Sequence, residues 1–208
     1  MTTGIQALHP AIAPGIANAA DLLRTISFHQ YVLLLKQRGN TTPVDMAVYE
    51  KYSQVWARLW DFKRDWLTLP VVWSLFVQLL TGCRVSALPG AVVAIDSESA
   101  SLSIPATKGG FANLHEYGSL PSPLTNLLLR QGPTMTVATY WQYRSELRNG
   151  NPNFFQSGRP GCQNCTHMPR YLFIQILYYV LGVSLGHITK LMGWRSEGSI
   201  EPYLNTNI

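Results

Sequence analysis

Residues 91–118 read AVVAIDSESASLSIPATKGGFANLHEYG, and this stretch decides the fold class. AVVAID (91–96) and ASLSIPA (100–106) are short, β-rich and separated by SES, so they predict a hairpin. TKGG (107–110) is a turn, and ANLHEYG (112–118) predicts a third strand. Helical patterning surrounds this stretch. Upstream, residues 21–39 open on Asp21, end on basic residues and have Gly39 at the stop, which predicts a helix. Residues 41–62 have Thr42 as N-cap and Pro43 at the first helical position, with Val44, Val48, Val55, Leu59 and Phe62 near helical spacing. The very apolar run 68–84 has Thr68 as its cap and Pro70 in its first turn. Downstream, 122–132, 136–150, 167–182, 184–193 and 196–205 predict helices, with a loop over 150–165. Residues 1–20, with Pro10 and Pro14, predict a loosely ordered arm. The expected fold is mainly α with a small antiparallel β-sheet, an α+β arrangement.

Composition narrows the function. Of 208 residues, 47% are hydrophobic and 13% charged, which suits a packed core and argues against disorder. The formal net charge of +5 favours a polyanionic partner such as DNA. Cys83, Cys162 and Cys165 are too few for a disulfide scaffold, so a reducing compartment is expected. No charged segment followed by an apolar core opens the chain, so no secretory signal is read. The longest apolar stretches, 71–80 and 173–186, fall short of the roughly 18 to 20 residues a bilayer needs. No membrane association is expected.

Four stretches pose a chemical question. TGCR ends the apolar run on Arg84, a guanidinium that needs an anionic partner if it is buried. PATKGG places Lys108 on a glycine-rich turn, where a long side chain can reach into a cleft. THMPR puts His167 and Arg170 three apart, on one face at the start of a helix. MGWRSEGSIEPY supplies Trp194 and Tyr203. Singly, each has a structural reading: a capping arginine, a satisfied histidine, core aromatics and a solvated lysine. Their order and complementary chemistry weaken those readings together.

In that order they resemble the catalytic domain of the tyrosine recombinase, or phage integrase, family. Thr81-Gly82-Cys83-Arg84 is similar to the family's T-G-x-R. Lys108 stands on the β-turn, His167-Met168-Pro169-Arg170 is an H-x-x-R, and Met192-Gly193-Trp194 precedes Tyr203. Arg84 and Arg170 are 86 positions apart, Arg170 and Trp194 24, and Trp194 and Tyr203 nine. The resemblance covers roughly residues 62–208. It implies a site-specific recombinase or integrase with Arg84, Lys108, His167, Arg170, Trp194 and Tyr203 as catalytic residues. Tyr203 would be the nucleophile, and Arg84, Arg170 and Trp194 would bind the scissile phosphate. Two guanidinium forks suit a phosphorane's oxygens better than lysines do. His167 would act as general base or position the phosphate, and Lys108 would protonate the departing 5′-hydroxyl. The 3′-phosphotyrosyl link conserves the bond energy, so no cofactor, ATP or metal is implied, and no small-molecule substrate. The implied partners are double-stranded DNA and further copies of the chain, as a dimer or tetramer on DNA. The expected location is cytoplasm and nucleoid, or the nucleus of a eukaryotic host. Type IB topoisomerases and telomere resolvases share the first chemical step. A helix-turn-helix DNA-binding module over 184–203 is the non-catalytic alternative.

The chain departs from the family pattern in several places. Ala87 stands where an acidic residue is usual, so the support of Arg84 must come from elsewhere. Pro169 lies inside the H-x-x-R, and Pro202 immediately before Tyr203 biases Glu201 away from helical geometry. Tyr203 is therefore expected on a short turn, as a mobile nucleophile. About 61 residues precede the catalytic domain (62–208), which implies an N-terminal arm and a reduced clamp-like region over 1–61. That points to a minimal recombinase or a fragment of one. Five residues follow Tyr203, so the tail exchanged between subunits in the family is expected to be short or absent. Cys162-x-x-Cys165 with His167 lacks a fourth ligand and a second cysteine pair, which reads against zinc. His9, His29, His115 and His187 have no evident partners in the sequence.

Overall fold

A computed structural model describes residues 24–39, 45–62, 68–96, 98–108, 110–132, 134, 137–151, 154, 165–206 and 208; for 137–140 and 165 it describes the backbone alone. The arm expected over 1–20, the cap expected at Thr42 and Pro43, most of the 150–165 loop and Cys162 lie outside the described residues.

Among the described residues the helices, in chain order, are α1 (Phe28–Lys36), α2 (Met46–Leu59), α3 (Leu69–Thr81), α4 (Ser122–Gln131), α5 (Val137–Gly150), α6 (Met168–Gln175), α7 (Leu185–Leu191) and α8 (Glu201–Leu204). Between α3 and α4 lie a 3-10 turn (Val85–Gly90) and the strands β1 (Val92–Ile95), β2 (Ser99–Ile104) and β3 (Asn113–Gly118). The strands form one antiparallel sheet in the order β1-β2-β3, with Val93 opposite Leu102 and Leu102 opposite His115. The protein is thus mainly helical with a small three-stranded antiparallel sheet.

Several boundaries differ from the sequence expectation, each for a local reason. α1 starts at Phe28, not near Asp21, because Ser27 and Gln30 form a reciprocal capping box there. α2 starts at Met46, where the Asp45 carboxylate accepts from Ala47 N. The helix expected over 167–182 turns into a π turn at Ile176–Val180, where Leu181 N reaches back to Ile176 O. The helix expected over 196–205 is a 3-10 turn (Glu197–Ser199) followed by the four-residue α8, with Gly198 and Pro202 interrupting it. The 3-10 turn after Arg84 has no counterpart in the sequence reading.

The centre of the molecule is α3. Every residue from Val71 to Thr81 is buried, and α4, α5 and α6 pack around it. Its hydroxyls bond back to the helix itself: Ser74 donates to Pro70 O and Thr81 to Val77 O. The helix stops at Gly82, whose φ of +61° is left-handed; a Cβ there would lie 2.5 Å from the Phe173 ring. One hydrophobic cluster runs from α1 and α2 through α3 to the sheet, α6 and α7. Tyr31 of α1 donates to Leu79 O, and Tyr117 of β3 donates to Leu80 O. No helix of the described residues is long and apolar enough to cross a membrane.

Candidate active site

The buried amide of Gln78 organises the site. Its Nε2 donates to Cys83 O at 3.2 Å and to Thr166 O at 3.1 Å, and its Oε1 accepts from the Tyr143 hydroxyl. Cys83, Thr166 and Tyr143 immediately precede Arg84, His167 and Arg144. One side chain of the central helix therefore fastens the three segments that carry these basic residues. Such a network is rigid only while every member is paired.

An open cleft lies over this hub. It is lined by Arg84, Val85, Ser86, Lys108, Arg144, His167, Tyr171 and Tyr203, has a volume of about 430 Å³ and is continuous with solvent. Among these lining residues none is Asp or Glu. Arg84 is half-buried; its Nη1 donates to Thr107 O at 3.4 Å and Thr107 Oγ1 at 3.3 Å, both long bonds. Thr107 thus supports Arg84 where Ala87, buried and apolar, cannot. Lys108 is exposed and has φ +48°, an uncommon conformation for a long side chain. Its turn is held by Phe111 N donating to Gly193 O at 3.0 Å and by Asn113 Nδ2 donating to Leu191 O. Gly193 must be glycine, since its φ is +61° and a Cβ would lie 2.6 Å from Phe111 O. The Lys108 turn is therefore pinned to the segment that carries Trp194.

His167 stands at the start of α6, and its Nδ1 is buried without a hydrogen-bond partner. Burial, then the charges of Arg170, Arg84, Lys108 and Arg144, push its pKa down to about 4. It is a neutral imidazole at neutral pH, able to accept a proton.

Arg170 lies deeper, with 3% of its surface exposed. Its Nη1 donates to Gly82 O and its Nε donates to the Tyr203 hydroxyl at 3.0 Å. Its guanidinium lies 4.9 Å from the Trp194 ring centre and 5.3 Å from that of Tyr203. Trp194 and Tyr203 stack at 5.3 Å, so their nine-residue spacing folds back into direct ring contact. Tyr171 also packs on Tyr203, with ring centres 4.7 Å apart. Tyr203 sits on the four-residue helix α8, which Glu201 and Pro202 open, so Pro202 does not hold Glu201 out of helical geometry as expected; Gln175 Nε2 donates to Tyr203 O and Thr206 O, which anchors the expected mobile residue.

The structure thus brings Arg84, Lys108, His167 and Tyr203 to one cleft, with Arg170 and Trp194 behind Tyr203. Arg84, Arg170 and Trp194 share a second, smaller cavity that extends towards His115. Sequence reasoning missed Arg144, Tyr171 and Gln78. Tyr171 follows Arg170 directly, but nothing in the order of motifs marked the other two. It also found no partners for three histidines that have them. His115 accepts from Arg38 Nη2 at 3.3 Å, His187 Nε2 donates to Arg38 O, and His29 Nδ1 lies 3.4 Å from the Tyr49 hydroxyl. His9 and the side chains of Cys162 and Cys165 lie outside the described residues.

No family model matches the chain, and no curated protein or solved structure is detectably similar to it.

Proposed function

We propose that this chain is a DNA strand-transferase of the tyrosine recombinase kind, cutting and rejoining double-stranded DNA through a 3′-phosphotyrosyl intermediate. The observation that carries the reading is a tyrosine hydroxyl, held 3.0 Å from a buried guanidinium, at a cleft lined by two arginines, a lysine and a neutral histidine. The chemistry follows from these groups. Neutral His167 takes the phenolic proton of Tyr203 as the phenol oxygen bonds to phosphorus. Arg170, aimed at that oxygen, meets the negative charge as it develops. The phosphorus–5′-oxygen bond breaks and Lys108 supplies the proton to the leaving hydroxyl. A second 5′-hydroxyl reverses the sequence and releases Tyr203. In this reading the chain acts as a homo-oligomer on DNA, so that cut strands can be exchanged between sites. A helix-turn-helix reader fits less well, because the four-residue α8 that follows α7 is too short to lie along a major groove.

The test needs no knowledge of the target. The protein is incubated with a random-sequence duplex library and quenched with detergent, and its peptides are searched by mass spectrometry for a nucleotide adduct. The expected adduct is on Tyr203; Tyr203→Phe abolishes it while retaining DNA retardation. Retardation without an adduct in either protein would remove strand transfer and leave a DNA-binding protein. Sequence-independent relaxation of supercoiled plasmid would assign the same first step to a topoisomerase.

A further inference from the structure

The motif order supplies two guanidiniums for a phosphate, Arg84 and Arg170, but the packing treats them differently. Arg170 is buried, holds Gly82 O and Tyr203, and does not line the open cleft. The guanidinium that lines the cleft with Arg84 is Arg144, on the middle of α5. It is half-buried and lies 5.2 Å over the Trp141 ring one turn earlier, which restricts where its fork can point. Its neighbour Tyr143 is fully buried and bonded to Gln78, the amide that also holds the residues preceding Arg84 and His167. Arg144 is therefore fixed to the same hub as the other cleft cations, although it comes from a helix outside the motif series. Its charge is also one of those that act on His167.

We propose that Arg144 is a phosphate ligand of this cleft and forms, with Arg84, the pair of guanidiniums that clamps the non-bridging oxygens of a phosphodiester. Two forks from different elements match two oxygens on one phosphorus, and both are permanently charged. That the phosphodiester belongs to DNA rests on the strand-transfer reading; that the cleft takes phosphate does not.

The test titrates the full chain with inorganic phosphate and follows the His167 imidazole resonance by NMR. Arg144→Gln is expected to weaken phosphate binding about tenfold, the size expected for one charge-assisted contact. Arg84→Gln should weaken it similarly. Arg148→Gln, exposed on the same helix, controls for charge at a distance. The proposal is overturned if Arg144→Gln binds phosphate as the wild type does, or loses no more than Arg148→Gln. If the glutamine variant does not fold, Arg144→Lys is read instead. It keeps the charge without the fork, so weaker binding supports the clamp and unchanged binding overturns it. The strand-transfer reading fails separately, through a missing Tyr203 adduct in a protein that still binds phosphate through Arg144.

Discussion

Two clusters of arginine and histidine are built from the same chemistry to different ends. At the corner between α1 and β3, Arg38 donates to Glu116 O and to His115 Nδ1, lies 4.9 Å from the Tyr117 ring centre, and presents its own carbonyl to His187. Chain atoms accept from both terminal nitrogens of its guanidinium, although its buried Nε has no partner among the described residues, and the cluster ties a helix to a sheet. In the cleft, Arg84 has only long bonds to Thr107, and it shares the space with Lys108, Arg144 and a His167 whose Nδ1 has no partner. Like charges gathered in a cleft whose described lining residues include no Asp or Glu repel one another, and an anion relieves that repulsion. Shared residue types therefore say little; what accepts their protons separates a brace from a site.

This contrast can be tested from its strongest point downwards. Gln78→Leu would leave Cys83 O, Thr166 O and the Tyr143 hydroxyl unpaired in the core. Chemical denaturation should show a loss of about 3 kcal/mol, with the cleft disordered even where the fold survives. Arg38→Met should cost about 2 kcal/mol, because charge-assisted bonds are removed and the buried His115 Nδ1 is left unpaired. Arg84→Met should cost less than about 1 kcal/mol in the same assay, since long bonds are lost and repulsion is relieved. Equal losses at the two arginines would break the comparison.

Acid titration sharpens it further. Burial, with the Arg38 charge, pushes His115 down to about 3, and His167 stands at about 4. Both are depressed below the unfolded value of about 6.5, so the unfolded chain binds more protons through this range. Stability should be complete above about pH 6.5 and fall as the pH drops towards the folded values, with His167→Gln roughly halving the slope between about pH 6.5 and 4 and leaving the His115 contribution. Inorganic phosphate should raise the apparent pKa of His167 by NMR and leave His115 unmoved, because only His167 faces the cleft. The smallest effect is expected at Lys108. Lys108→Asn suits the left-handed backbone better and should raise the melting midpoint by the equivalent of less than about 1 kcal/mol. The same change should impair DNA cleavage.

Much of the fold was legible in the sequence because its signals are local. Thr68 and Pro70 mark the start of α3, which stops at Gly82, short of the expected Arg84, and the SES turn sets off the hairpin that becomes β1 and β2. α1 and α2 were placed with displaced starts, since the caps at Ser27 and Asp45 compete with equally plausible residues nearby. The helix expected over 196–205 failed because Gly198 and Pro202 outweigh the surrounding helix formers. Of the site, Arg84, Lys108, His167, Arg170, Trp194 and Tyr203 could be singled out as an ordered series of reactive groups. Gln78 could not, since a single amide in an apolar run has no meaning until its partners, 65 and 88 positions away, are known.

By itself, then, the sequence determined the α+β class, the central apolar helix and the list of groups able to handle a phosphate. Those follow from propensity, periodicity and side-chain chemistry, which act over a few residues. Only the tertiary structure decided which cations share a cleft. It turned Arg170 inward against Tyr203, brought Arg144 in from α5 and gave His115 an arginine of its own. The physical reason is that a buried polar atom takes whichever partner the packing brings within about 3 Å, whatever their separation along the chain.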